Sequence, residues 1–339
     1  MKKFISLTLV LLMVLVAMVG CGGGEATDEP EATAGEVAIL IPGATHGWPV
    51  GVLYYANEKA EELKAAGQTA VVYTSDTAQN QIQQIEDLMT RSDIEGVMIL
   101  PFDNSVVNAV KGMEGTVPFV QFDRILEDVT ASANVMGDNF GIGYETAKIF
   151  LDKGLQKTDM ILEMPGDSSS VPEMRSNGFR EGLKEIGGWT DAEIEAAITK
   201  TDFTGWSRDN SKTLFEGFVG SKTQAELDKY KFIFTHDDEI AIGIFNAINA
   251  GNLGKNIDAV EVLAASAGNQ EMYNILNDKT YEDQFYLFSL TYPPYMVQDA
   301  IDTLMKVLDG EEVEGEIVIP VKLVDSANAA EYLNPDSPY

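Results

Sequence analysis

Residues 36–63 read EVAILIPGATHGWPVGVLYYANEKAEEL and contain a complete strand, loop and helix pattern. The apolar run from Val37 to Ile41 is short for a helix and predicts a strand that is buried on both faces. After the loop, apolar side chains recur at the spacing of one helix face, at Leu53, Tyr54, Ala60 and Leu63. This pattern predicts the first crossover unit of a parallel α/β sheet.

The loop of this unit carries two side chains that suit a binding site, His46 and Trp48. Loops that follow parallel strands lie outside the carboxyl ends of those strands, where open α/β sheets bind ligands. We therefore expect His46 and Trp48 to lie at the mouth of a cleft.

The alternation of strand and helix patterns continues along the chain in two rounds. Apolar runs predict further strands at residues 70–74, 97–100, 118–122, 160–164, 232–235, 260–265 and 285–290, with helical periodicity between most of them. Residues 291–294 read TYPP, and paired prolines cannot continue a central strand, so we expect the chain to cross back to the first half there. The sequence predicts an α/β fold of two Rossmann-like lobes with parallel sheets, joined by a multi-strand hinge.

The lobes are expected to be discontinuous in sequence. The predicted crossing near residue 292 assigns residues 36–137 plus 292–322 to the first lobe. Residues 138–291 plus 323–339 are assigned to the second.

The start of the chain has the pattern of an export signal. Two lysines precede an apolar run from Phe4 to Val19, which is typical of a secretory signal peptide. The text from Met18 to Cys21 resembles the bacterial lipobox, in which the cysteine is lipidated. We expect residues 1–20 to be a lipoprotein signal peptide and residues 21–35, which are rich in Gly, Ala, Thr and acids, to be a flexible tether. An uncleaved anchor and a plain secreted protein are the alternatives, and each places the chain outside the cytoplasm.

Composition excludes several kinds of partner. The chain has 23 basic and 54 acidic residues and a net charge of −31, which disfavours binding to nucleic acid. With a single cysteine, Cys21, no intramolecular disulfide is possible. Two histidines in the chain offer little for a transition metal. We expect a monomer that holds no cofactor and no metal.

Five short motifs together resemble one family. They are the aromatic loop at residues 45–49, FDR at 122–124, GDN at 137–139, R-x-x-G-F at 175–179 and HDDEIAIG at 236–243. In this order the chain resembles the periplasmic-binding-protein type I family over residues 37–324. The likeness is to the ribose and galactose branch of sugar ABC-transporter receptors. The resemblance implies a Venus-flytrap protein that clamps a sugar between two lobes and delivers it to a membrane permease.

The resemblance also implies which side chains bind the ligand. Trp48, Phe203 and Trp206 are expected to pack on the apolar face of a sugar, and Asp123 to accept hydrogen bonds from its hydroxyls. Ordinary core rings and a salt bridge that closes the cleft are the alternatives. The full predicted site is His46, Trp48, Asp123, Arg124, Gly137, Arg175, Phe203, Trp206, Asp237, Ser266 and Thr291, with Cys21 as the lipidation site.

Several positions depart from the family pattern. Asp237 and His46 stand where the family has asparagine, Ser266 where many relatives have aspartate, and Leu100 and Thr291 replace a further asparagine and a glutamine. These changes predict a ligand other than ribose: another pentose, a hexose, a deoxysugar or an acyclic polyol. The adjacent acids at residues 237–239 also raise the hypothesis of a metal or a cationic ligand, although Asp238 suits the N-cap of the following helix.

Other functions remain as alternatives. A sensory, chemotaxis or quorum-signal receptor of the same fold, or a nucleoside-binding lipoprotein, would share these motifs. A hydrolase using His46 with Asp123 is disfavoured, because the sequence has no G-x-S-x-G motif, P-loop or G-x-G-x-x-G turn. We therefore expect a binding protein and not an enzyme.

Overall fold

The computed structural model describes residues 35–44 and 47–339. The predicted signal peptide and nearly all of the tether, including Cys21, lie outside the described residues, as does His46. The described part forms twelve strands: β1 (Glu36–Pro42), β2 (Thr69–Ser75), β3 (Ile94–Ile99), β4 (Phe119–Phe122), β5 (Ala133–Gly137), β6 (Met160–Met164), β7 (Ile198–Lys200), β8 (Tyr230–Thr235), β9 (Val262–Ala267), β10 (Tyr286–Thr291), β11 (Glu316–Ile319) and β12 (Leu323–Asp325).

Helices lie between most of these strands. They are α1 (Trp48–Ala65), α2 (Ala78–Met89), α3 (Val107–Lys111), α4 (Asn139–Asp152), α5 (Ser170–Glu185), α6 (Asp191–Ala197), α7 (Arg208–Ser221), α8 (Gln224–Leu227), α9 (Asp238–Ala250), α10 (Gln270–Asn277) and α11 (Met296–Leu308). Within the described ranges, no helix is both long and apolar enough to cross a membrane.

The strands form two six-stranded sheets. The first has the order β11-β5-β4-β3-β1-β2 and is parallel throughout, and the second has the order β12-β10-β9-β8-β6-β7. In the second sheet only the edge pair of β10 and β12 is antiparallel. Residues Val37 to Ile41 of β1 are completely buried, as expected for a strand covered on both faces. The predicted fold class is therefore confirmed.

The chain passes between the two sheets three times. It leaves the first sheet after Gly137, returns after Thr291 and leaves again between Ile319 and Leu323. Helix α11 follows the second passage and packs on β3, β4 and β5 of the first sheet. The carboxyl ends of β1, β4, β6, β8 and β10 are followed by the loops that build the cavity described below.

Glycines allow helices α4 and α5 to pack backbone against backbone. A Cβ atom on Gly143 would overlap the carbonyl oxygen of Arg175, and one on Gly178 would overlap the carbonyl oxygen of Phe140. Neither obstacle is a flexible side chain, so a larger residue could be accommodated only by moving a helix. This close crossing fixes the position of Arg175.

We predict that Gly143→Ala lowers the free energy of unfolding by about 1 to 3 kcal/mol, because overpacking forces the backbones apart. Gly217→Ala is the matched control, since Gly217 lies within α7 and an added Cβ meets no atom within 4 Å. That control should gain about 0.5 to 1 kcal/mol from helix propensity. Urea unfolding measures both, and equal stability of the two variants would contradict the packing argument.

Candidate functional site

A cavity of about 210 Å³ lies at the strand ends and is lined by residues that follow both sheets. Trp48 begins α1, and Asp123 and Arg124 follow β4 of the first sheet. From the second sheet's side come Arg175 of α5, Trp206 before α7 and Asp237 before α9. Ligand sites of open α/β sheets occupy this position, so this cavity is the candidate functional site.

Two tryptophans line the cavity, and a hydrogen bond fixes each indole. Trp48 donates its Nε1–H to the carbonyl oxygen of Tyr292 at 2.8 Å and stacks on Phe122. Trp206 donates its Nε1–H to Oδ2 of Asp167 at 2.8 Å. Because the indole N–H groups are already satisfied, these side chains offer the cavity mainly their apolar ring surfaces.

A chain of hydrogen bonds joins the acidic and basic groups of the site. The hydroxyl of Tyr292 donates to Oδ1 of Asp123 and accepts from the side-chain amide of Asn139 at 3.1 Å. Oδ1 of Asn139 in turn accepts from Nε of Arg175 at 2.9 Å. Burial raises the pKa of Asp123, and burial together with the Asp123 carboxylate raises the pKa of Tyr292, which keeps its proton.

Arg175 is almost fully buried, since only 3% of its surface is exposed. Its Nη1 donates to the carbonyl oxygen of His236 and to Oγ of Ser266, the latter at 3.2 Å. Among the described residues no carboxylate lies within ion-pair distance of its guanidinium, and no hydrogen bond uses Nη2. Burial lowers the pKa of Arg175, and the nearby Tyr292, Asp237 and Asp123 oppose that effect. Nη2 therefore has no hydrogen-bond acceptor among the described residues.

Asp237, not Asp238, caps helix α9, so the expectation for Asp238 was wrong. Oδ1 of Asp237 accepts from the backbone N–H of Glu239 at 2.7 Å. The carboxylate of Asp238 turns instead into the protein and accepts from the N–H groups of Gly268 and Asn269, at 2.9 and 2.8 Å. Those two amides follow the neighbouring strand β9, and their hydrogen bonds hold the Asp238 carboxylate away from the cap position.

The pKa values of Asp237 and Asp238 are both raised above the usual value of an aspartate. Burial, and then the adjacent Asp238 charge, raise the pKa of Asp237 well above its usual value. Burial raises the pKa of Asp238 to about 6, although its hydrogen bonds from Ser289, Asn269 and Gly268 favour the charged form.

Strained backbone clusters at the cavity. Four described residues other than glycine have positive φ, and three of them line it: Asp123 at 61°, Trp206 at 58° and Ala267 at 141°. Such conformations cost roughly 1 to 3 kcal/mol each and persist where the surroundings enforce them, commonly at functional sites.

The predicted site residues divide into three groups. Six line the cavity: Trp48, Asp123, Arg124, Arg175, Trp206 and Asp237. Four do not line it: Gly137, Phe203, Ser266 and Thr291. His46 lies outside the described residues.

Each residue outside the lining has a structural explanation. Gly137 lies under the ring of Tyr292, which a Cβ atom would overlap. Phe203 is 52% exposed, and Trp206 provides the aromatic surface of that loop instead. Ser266 is buried beneath Arg175, and Thr291 accepts from the backbone N–H of Lys322 at 2.9 Å, in the hinge.

Sequence reasoning missed Tyr292, Asn139 and Asp167. Tyr292 belongs to the TYPP sequence at residues 291–294. The prolines of this sequence predict that the chain crosses back to the first half, but they do not indicate a ligand-binding residue. Asp167 follows strand β6, and the rule that placed Asp123 after β4 would have found it.

Comparisons with known proteins identify relatives of this chain and solved structures with the same fold. The fructose import binding protein FruE of Bifidobacterium longum (strain NCC 2705) is 24% identical over 343 residues, covering 94% of this chain and 93% of the relative. The ribose import binding protein RbsB of Bacillus subtilis (strain 168) is 23% identical over 327 residues, covering 95% and 99%.

A solved structure with the same fold is an ABC transporter solute binding protein from Mycobacterium smegmatis with bound glycerol. It has a TM-score of 0.72 and 21% identity, and the match covers 90% of this chain and 98% of that one. A family model described as a periplasmic binding protein domain matches residues 37–312. The chain therefore belongs to the periplasmic binding protein domain family, whose members are binding proteins and not enzymes.

Proposed function

We propose that this protein is the substrate-binding protein of a sugar ABC transporter and binds one monosaccharide or polyol in the cavity. The observation that carries the proposal is the combination of two fixed indoles with a buried carboxylate and a buried guanidinium, Asp123 and Arg175, that keep unused hydrogen-bonding atoms. A sugar needs both kinds of surface, because its ring has apolar C–H faces and polar edges.

The size of the cavity favours a small ligand. Its volume of about 210 Å³ is below the roughly 300 to 1,000 Å³ typical of pockets for drug-sized molecules. Hydrogen bonds to charged groups contribute about 1.5 to 3 kcal/mol each. Several such bonds with ring packing reach micromolar affinity, about −8 kcal/mol. The import proteins for fructose and ribose among the relatives support a sugar.

The mechanism follows from the three chain passages between the sheets. A ligand that touches Asp123 on one side and Arg175 on the other binds the closed arrangement more tightly than an open one, and so shifts the population toward closure. Asn139 and Tyr292 adjoin two of these passages and connect the same two charged residues. Closure thus presents a loaded protein to a permease.

Family membership implies an extracytoplasmic location and service to an ABC importer. The finer proposal is a monomer anchored by lipid on Cys21, with residues 22–35 as its tether. Two acyl signals hold a protein stably on a bilayer, whereas one chain gives only marginal binding.

The primary test is thermal unfolding of the purified protein with pentoses, hexoses, deoxysugars, polyols and nucleosides. A ligand at about a hundred times its dissociation constant adds roughly 2.7 kcal/mol of stability and should raise the melting temperature by several degrees. We expect at least one sugar or polyol to do so. A response to nucleosides alone would contradict the sugar assignment.

Two substitutions should weaken binding without unfolding the protein. We predict that Trp48→Ala and Asp123→Asn each raise the dissociation constant at least about tenfold, which corresponds to about 1.4 kcal/mol. Asparagine is chosen for position 123 because it tolerates the positive φ there. Phe203→Ala is the control, since that exposed ring lies outside the lining. Calorimetry showing wild-type affinity for either test variant removes that residue from the site.

The anchor has its own test. Cys21→Ser should move the protein from the membrane fraction to the soluble fraction of expressing cells, because no thiol remains for acylation. The next three residues, 22–24, are glycines, so no neighbouring side chain can replace the thiol as the acceptor. Retention of the variant on membranes would argue for an uncleaved apolar helix.

A further inference from the structure

The cavity contains more negative than positive groups. Four carboxylates line it, those of Asp123, Asp167, Asp237 and Glu239, against the two guanidinium groups of Arg124 and Arg175. Electrostatic interactions are strong in a buried site, so the balance of these charges bears on what the cavity can bind.

Two of the four carboxylates are satisfied within the protein. Glu239 forms a bidentate pair with Arg208, in which Nη2 lies 3.0 Å from Oε1. Asp167 accepts from Trp206 through Oδ2 and from the backbone N–H and hydroxyl of Ser169 through Oδ1. Neither carboxylate needs a ligand.

Asp123 and Asp237, unlike Glu239 and Asp167, are only partly satisfied within the protein. Each is only 7% exposed, and each uses Oδ1 for one hydrogen bond, Asp123 from Tyr292 and Asp237 from the N–H of Glu239. Across residues 35–44 and 47–339, no hydrogen bond reaches Oδ2 of either. Both carboxylates line the cavity, so both open oxygens are available to a bound molecule.

The positive groups near Asp123 and Asp237 do not form ion pairs with these two acids. Arg175 interacts with both Asp123 and Asp237 but forms an ion pair with neither. Asp238 follows Asp237 in the chain, is completely buried and has no ion-pair partner within the described chain. Arg124 also acts on Asp123, whereas the positive group that acts on Asp237 is Arg175, which Asp123 shares. A buried charge without compensation is costly, so Asp237 is the acid of the site that lacks a positive partner of its own.

We propose that the ligand is an aminated sugar or aminated polyol whose ammonium group binds the open carboxylate oxygen of Asp237. The proposal rests on the sugar-binding function and names the class of sugar. An ammonium has three N–H donors and favours the ionised form of Asp237, whose pKa is raised by burial and by Asp238, whereas a neutral hydroxyl donates one hydrogen bond and supplies no positive charge. The hydroxyls of such a ligand can hydrogen-bond to Arg175 and Asp123. Its apolar faces can pack on the two indoles.

A metal ion is a poorer occupant. Calcium takes six to eight oxygen ligands. Within the described residues no group of three or more His, Cys, Asp or Glu is placed to hold a metal. The aromatic walls of the cavity also favour an organic ligand over an ion.

Calorimetry on the full-length protein tests the proposal with matched pairs that differ by one group: D-glucosamine and D-glucose, D-galactosamine and D-galactose, 1-amino-1-deoxysorbitol and sorbitol. We expect the amine of at least one pair to bind at least about tenfold more tightly than its neutral parent at pH 7. Putrescine, which has ammonium groups but no hydroxyls, should bind more weakly than that amine.

Asp237→Asn and Asp128→Asn are the matched variants, because each replaces one carboxyl group with an amide of the same shape. Asparagine keeps an N-cap acceptor at position 237, so that variant should fold. The side chain of Asp128 is 85% exposed and lies outside the cavity lining. The preference for the amine should fall severalfold or more in Asp237→Asn and persist in Asp128→Asn.

The outcomes separate the two proposals. Tighter binding of the neutral parent in every pair overturns the amine assignment and leaves the sugar-binding function standing. An undiminished preference in Asp237→Asn overturns the assignment to that residue. Equal binding of putrescine overturns the assignment to an aminated sugar or polyol, because the hydroxyls would then contribute nothing. Absence of binding by any sugar, polyol or amine, with the protein folded, overturns the proposed function itself.

Discussion

The site depends on one buried group, the guanidinium of Arg175. Its position is fixed by the close contact between α4 and α5, which requires glycine at positions 143 and 178. Its donors reach Asn139, the carbonyl of His236 and Ser266, so three separate segments hold it. An arginine that is almost fully buried without an ion pair is costly unless its donors are satisfied. Here the protein satisfies part of that requirement and leaves the rest to a ligand.

Tyr292 connects that charge to the hinge. It follows β10 at the second passage between the sheets, and its hydroxyl lies between Asp123 and Asn139. Its ring occupies the space above Gly137, at the first passage, and its carbonyl holds Trp48. A movement of one lobe therefore changes the surroundings of the carboxylate, the amide and the indole together. In the proposed closure, Tyr292 is thus the side chain that couples ligand contact to lobe position.

Sequence patterns were sufficient for most of the strands and long helices, because buried parallel strands such as β1 are continuous apolar runs between turn residues. They also placed Trp48 and Asp123, since both follow such strands. Within residues 187–229, α6, β7 and α8 were missed because they are too short to show a period. Helix α7 was missed although it has 14 residues, because its buried face has only two large apolar side chains, Phe215 and Val219. Tyr292 was missed because its role depends on a partner 169 residues away and on a glycine beneath its ring. The choice between Asp237 and Asp238 as the cap likewise depends on distant groups, the backbone amides of Gly268 and Asn269 after strand β9.

The order of elements along the chain also governs how the protein is made. Strand β11 and helix α11 belong to the first sheet, but both follow all five parallel strands of the second. Until they emerge during synthesis, β5 remains an open sheet edge, and the surface that later covers Met296, Val297 and Ile301 stays exposed. The first sheet is thus completed only after all five parallel strands of the second sheet have been made. Premature termination after β10 would leave an apolar, edge-exposed intermediate, the kind of species that aggregates or engages chaperones.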